Sequence, residues 1–329
     1  MKKFWGTFTV LIISIICATF FYQSQNKASA KMNTVKIGIL RVPNDVAAAR
    51  ETAELQKALK KSGLKVKFIT FDSGVDANKA LLSNDIQLAT MGHTNAVVAM
   101  AAGIPCNLVW VNDIIGSNEQ FVLSDKAKFH NWSDLVGKKI ATPFASTSHY
   151  SLMMLLTKHG LLGKVDLLDM QTTEIVAAWN QGNIDGAYTW EPSLSNLKNA
   201  RTITDSSELA EAGALTANVT LATKNFQDDY PDVLRNILKV LNHEHSLLKD
   251  QPTAIYKLTG KQLGISPKET KKQIGTSSWL TDTQQRKFMN HKFVNQFFQT
   301  AEFMWGQQTL VTKPSERQCQ HFISTKFIE

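Results

Sequence analysis

The stretch VKIGILRVPNDVAAARETAELQKALKKSGLKVKFITF, Val35 to Phe71, decides the fold. Val35 to Leu40 is an apolar strand, Asp45 to Lys61 is a helix with Ala47, Ala48, Leu55 and Leu59 on one side, and Val66 to Phe71 is a second strand. Strand, crossover helix and strand make a βαβ unit. Working outward, the alternation continues through Lys79 to Ser83, the strand Ile86 to Met91, the helix Ala96 to Ala102 and the strand Asn107 to Val111. A predominantly parallel, doubly wound sheet is therefore expected.

A second alternating series begins after Glu119. It comprises the strand Ile140 to Thr142, a helix from about Thr147 to His159, the strand Val165 to Met170, a helix over Glu174 to Asn180 and the strand Gly186 to Thr189, ending at Trp190. From Pro231 onward the pattern is helical, including Pro231 to Lys249 and Asn290 to Trp305. Two sheets joined by crossovers near Gly116 to Leu123 and Leu215 to Thr223 imply a discontinuous first lobe, 31–118 with 219–329, and a continuous second lobe, 119–218. A chain of 329 residues suits two lobes better than one core.

Residues 1–30 read as an export signal rather than as fold. Lys2 and Lys3 precede the apolar run Phe4 to Tyr22, and Ala28-Ser29-Ala30 offers the small-x-small pattern of a cleavage site. The run is close to the ~20 residues that span a bilayer, so an uncleaved anchor is the alternative. Lipidation would need a small residue before Cys17, where Ile16 stands. Either way the chain crosses the cytoplasmic membrane, to the periplasm or the outer face. Loss of Lys2, Lys3 and Lys27 reduces the 36 basic side chains to 33 against 28 acidic ones. The basic residues are scattered without interleaved aromatics, which argues against nucleic acid. Cys106 and Cys319 define no disulfide framework, and their pairing is left open. The eight histidines are dispersed, and His243-Glu244-His245 lacks the spacing for two ligands on one helix face. That segment reads as exposed helix, and no metal or cofactor is expected.

In doubly wound sheets ligands sit beyond the carboxyl ends of the strands, and the polar clusters of this chain fall there. Phe71-Asp72-Ser73-Gly74, Gly92-His93-Thr94-Asn95, Ser117-Asn118-Glu119 and Ser146-Thr147-Ser148-His149 each follow a strand. The last cluster lacks the G-x-S-x-G of a nucleophile elbow, and neither a phosphate-loop nor a dinucleotide motif is present. What remains is anion binding at a helix start, where unpartnered N–H groups and the helix dipole meet hydroxyl donors. The plain alternative is a hydroxyl cap with solvated neighbours. Asp72 and Glu119 have the charge to pair a cation, and Trp190 and Tyr188 can form a wall. Their plain alternatives are a helix cap for Asp72, a surface carboxylate for Glu119 and lobe core for Trp190. Together they describe a pocket for a small zwitterion.

FDSG (71–74), NDIQLA (84–89), SNEQ (117–120), STSHYSL (146–152) and AAWNQGNIDGAYTWEP (177–192) resemble the taurine-binding proteins of ABC importers. Those belong to the nitrate, sulfonate and taurine group of type II periplasmic binding proteins. The resemblance runs from about Val35 to the C-terminus. It implies a two-lobed α/β fold, no catalysis, capture of taurine or a related small sulfonate by hinge closure, and delivery to a membrane permease and ATPase by a monomer. It places the sulfonate on Thr147, Ser148, His149 and the helix N–H groups, with help from Ser73 and Gly74. Glu119 would face the ammonium and Trp190 would close over the ethylene link. Two departures stand out: His93-Thr94 replaces small serines, and Asn218 stands where the family carries an aspartate, with Thr220 replacing a tryptophan. An amine-free aliphatic sulfonate, nitrate or another small anion is thus the rival ligand. A pyrimidine-precursor synthase-like enzyme on the same fold is the rival class, opposed by the export signal.

Overall fold

The computed structural model describes residues 32–329; the leader expected over 1–30 lies outside the described residues. Among the described residues ten strands form two five-stranded sheets. The first is built from β1 (Thr34–Ile39), β2 (Lys65–Thr70), β3 (Leu88–Gly92) and β4 (Cys106–Ile114). The second is built from β5 (Glu119–Ser124), β6 (Lys139–Thr142), β7 (Asp166–Asp169), β8 (Gly186–Trp190) and β9 (Ala200–Asp205), and β10 (Ala217–Thr223) returns to the first. The strand orders are β2-β1-β3-β10-β4 and β7-β6-β8-β5-β9.

The two segments expected as connections are themselves strands. β10 runs antiparallel between β3 and β4, and β5 runs antiparallel between β8 and β9. The parallel pairs β1–β3, β6–β7 and β6–β8 come from the crossover-helix units. Each crossing strand thus joins the sheet it enters, so the sheets are mixed rather than predominantly parallel.

Apolar residues cover both faces of the second sheet at its central strands, while the edge strands β7 and β9 are more polar and partly exposed. Phe121, Ile140 and Tyr188 pack with Tyr150 and Leu152, whereas Val122, Ala141 and Ala187 pack with Ile175 and Trp179. Adjacent residues of one strand enter different clusters, as the two-residue period requires. Tyr188 is therefore core and not a cleft wall; its hydroxyl lies 3.0 Å from Ser206 Oγ.

The helix expected over Asp45 to Lys61 is two helices, Asp45–Glu51 and Glu54–Lys61, broken at Ala53 in the left-handed region (φ 56°). His243-Glu244-His245 is not an exposed segment. His243 faces solvent, but Glu244 and His245 are fully buried. The Pro231–Asp250 helix packs against both short helices, and this turns the pair inward onto the buried Asp45. Asp45 accepts hydrogen bonds from Trp110 Nε1 (3.0 Å) and Asn112 Nδ2 (2.9 Å), and lies 2.9 Å from His245 Nε2. Among the described residues Cys106 and Cys319 are buried free thiols that do not pair with each other, and burial pushes both up to about 12.

Candidate functional site

A cleft of about 710 Å³, partly open to solvent, lies at the strand ends of both sheets. The first sheet contributes the loop after β1, Gly92 at the end of β3, Asp113 of β4 and Asn218 of β10; the second contributes Glu119, Thr147 and Trp190. Three helix starts border it. Ser73 caps Gly74–Leu82, Gly92 precedes His93–Ala101, and Ser146 caps Thr147–Lys158 by accepting from His149 N at 3.1 Å. The N–H groups of Thr147 and Ser148 have no partner among the described residues, as expected for the first turn of a helix.

Glycine is required at two of these starts. A Cβ at Gly74 would fall 2.3 Å from Asn95 Oδ1, and one at Gly92 would fall 2.9 Å from Thr147 Cγ2. The second contact joins elements of the two sheets. Ala145, just before the Thr147 helix, has φ 62°, a conformation disfavoured for a residue with a Cβ.

The hydroxyls of this helix start are engaged within the protein, that of Ser146 by Pro143 O and those of Thr147 and Ser148 by a carboxylate. Thr147 Oγ1 and Ser148 Oγ donate to Glu119 Oε2 at 2.5 and 2.9 Å, and Ser206 Oγ donates to Glu119 Oε1 at 2.7 Å. Glu119, 1% exposed, is therefore not a surface carboxylate. Burial raises its pKa, and the three hydroxyls oppose that shift.

Thr147, Glu119, Trp190, Ser73, Gly74 and Asn218 line the cleft together. Other expected residues do not. Asp72 is exposed and is not among the lining residues, because Ser73 takes the capping position. His93 is fully buried beside Thr300 Oγ1 (3.1 Å) and accepts from Ala217 N, and burial lowers it to about 4. Thr94 donates to Ala145 O at 2.9 Å, tying the His93 helix to the loop before the Thr147 helix. Ser148 is sealed behind Glu119. His149 stacks on Phe144 at 4.4 Å with Nδ1 turned to Ala145 N; Phe144, and not His149, reaches the cleft. Burial also lowers the His149 pKa.

Sequence reasoning missed two carboxylates of the cleft, Asp113 and Glu191. Asp113 is 4% exposed, lines the cleft, and accepts from Asn218 Nδ2 at 3.0 Å across the β4–β10 pair. Burial, chiefly, raises its pKa to about 7; the Asn218 hydrogen bond opposes this, while Asp45 and Glu119 add to it. Asp113 thus places a carboxylate beside Asn218 at the cleft. Glu191, held by Ser195 N (2.9 Å) and Oγ (2.8 Å), is a third carboxylate at the cleft. No lysine or arginine lines the cleft among the described residues.

Two mixed sheets with a polar cleft at their strand ends define the type II periplasmic binding protein fold. The family model described as "NMT1/THI5 like" matches residues 59–255, and the chain belongs to that family. It is similar to the taurine-binding periplasmic protein of Escherichia coli K12, with 29% identity over 82% of this chain and 86% of that protein. Its fold is similar to that of the alkanesulfonate-binding protein SsuA from Xanthomonas axonopodis pv. citri bound to MOPS, with a TM-score of 0.74 and 20% identity over 88% of this chain and 99% of that one. The desulfurization enzyme DSZB shares the fold at a TM-score of 0.63 and 15% identity, covering 90% of this chain and 97% of that one.

Proposed function

We propose that the protein is an extracytoplasmic solute-binding protein of an ABC importer that captures taurine or a closely related small aminosulfonate. The observation that carries this reading is the cleft's charge pattern. Asp113, Glu119 and Glu191 bring three carboxylates and no basic side chain, while the anion-attracting groups are uncharged helix starts. An anion alone would meet a repulsive field there. A ligand with an ammonium at one end and a sulfonate at the other offsets the carboxylates and supplies acceptors to the N–H groups of Thr147 and Ser148. In this reading Asp113 and Glu119 face the ammonium, the Ser73-Gly74 and Thr147 starts hold the sulfonate, and Trp190 packs on the carbon link. Residues 31–118 with 219–329, and residues 119–218, act as lobes that close because the ligand favours the closed state.

Catalysis is not part of this reading. The Thr147 and Ser148 hydroxyls are bonded to a carboxylate rather than to a histidine, and His149 stands behind Phe144. The raised pKa values of Asp113 and Glu119 favour a second reading, in which both are neutral and an amine-free alkanesulfonate binds. Calorimetry of the purified protein with taurine, ethanesulfonate, nitrate and sulfate separates them. Taurine should bind tightest. Equal or tighter ethanesulfonate binding would favour the second reading, and silence from every sulfonate would sink both.

A further inference from the structure

On the other side of the loop that follows β1 lies a second cavity of about 640 Å³, bordered by Arg41, Asn44, Arg50, Thr70 and Gln262. Its charge is opposite to that of the cleft: two guanidiniums border it, and no acidic side chain does among the described residues. Neither guanidinium has an ion-pair partner among those residues. Arg50 lies over the Phe68 ring at 4.7 Å, and its partial burial lowers its pKa with no carboxylate to offset it. Asn44 is 3% exposed; its Oδ1 caps the Asp45 helix by accepting from Ala47 N at 3.0 Å, whereas its buried Nδ2 has no hydrogen-bond partner. A buried amide donor without an acceptor is uncommon in a native fold and costly to keep.

We propose that this cavity is a binding site for a small, doubly charged oxyanion of the sulfate or phosphate class, separate from the cleft. Two guanidiniums match the charge and the forked geometry of such an ion. The Asn44 amide, the Thr70 hydroxyl and the Gln262 amide are the neutral donors around it. Leu40 and Val42 border both cavities, so an ion bound here stiffens the loop that forms one wall of the cleft.

The test is titration of the purified protein with inorganic phosphate and with sulfate, read by calorimetry and thermal shift, for the natural chain and three variants. Arg50→Gln and Arg41→Gln each remove a charge. Asn44→Asp keeps the capping oxygen and replaces the unpartnered donor with a carboxylate, so the helix start is preserved. Each should weaken oxyanion binding by about tenfold or more, the loss of one charge-assisted hydrogen bond or its reversal into repulsion. Glu119→Gln, on the far side of the loop, should leave it unchanged. No measurable binding of either ion, or isotherms that the three variants leave unaltered, would overturn the proposal. So would binding that responds to Glu119→Gln alone, which would assign the ion to the cleft.

Discussion

Two cavities share the loop Leu40 to Asn44 and have opposite chemistry. Among the described residues the cleft gathers carboxylates with no base, and the pocket behind it gathers guanidiniums with no acid. Beneath the loop lies a third arrangement, Asp45 against His245, where a buried carboxylate meets an imidazole and two further donors. The difference is one of position: Asp45 lies beneath the loop, and Asp113 and Glu119 lie at the cleft. Asp45 meets an imidazole and two amide or indole donors away from the cleft, whereas Asp113 and Glu119 accept only from amide and hydroxyl groups and border the cleft.

The largest effect is expected where the loop is anchored. Asp45→Ala strips the acceptor from His245, Trp110 and Asn112, and should cost about 3–5 kcal/mol of stability, the range for breaking a buried pair. Urea denaturation measures it, and a loss well under that range would mean that Asp45 is no better anchored than the cleft acids. Next comes the cation end: Asp113→Asn or Glu119→Gln should weaken taurine by about 1.5–3 kcal/mol each while hardly touching ethanesulfonate. Equal losses for both ligands would make these carboxylates structural and erase the contrast with Asp45.

The anion end is the next smaller. β-Alanine replaces the sulfonate with a planar carboxylate that leaves helix-start donors unpaired, so it should bind about tenfold more weakly than taurine. Thr147→Ala tests the same end less directly, since its hydroxyl serves Glu119; it should weaken taurine without changing the taurine to β-alanine ratio.

The smallest effect is that of pH. Asp113 keeps its proton up to about pH 7 in the folded chain, whereas an unfolded aspartate loses it near about 4. The folded state therefore binds more protons across that window, and the stability of the ligand-free protein should fall as pH rises through it. An ammonium ligand needs the ionised carboxylate, so taurine affinity should rise by up to about tenfold as pH climbs through about 7. Ethanesulfonate affinity should fall over the same range. Parallel pH profiles for the two ligands would show that Asp113 does not face the amine.

Much of this was legible in the sequence, for reasons particular residues make clear. The parallel units announce themselves through helical spacing between short apolar runs, as in Val35 to Phe71. The crossing strands β5 and β10 do not, because a strand entering a new sheet looks locally like a connection between sheets. Asp113 was hidden in the run Leu108-Val109-Trp110-Val111-Asn112-Asp113-Ile114-Ile115. The available signal was the polar pair inside an otherwise buried strand, since such groups persist only where partners await them. Hydroxyl direction was not legible at all. Ser146 to His149 names the donors, but only the approach of β5 reveals that Thr147 and Ser148 are turned toward Glu119.

Trp190 closes β8 directly opposite Glu119 in the β5–β8 pairing, with its indole at the cleft. Trp110 is fully buried, and Trp179 and Trp279 are nearly so. Trp132 is partly buried and Trp305 is exposed, and neither lines the cleft, so among the described residues Trp190 is the tryptophan whose surroundings a bound solute would change. A solute that displaces water from the Trp190 ring should shift its emission to the blue, and Trp190→Phe should silence that change, so occupancy can be followed in solution without a label on either protein or ligand.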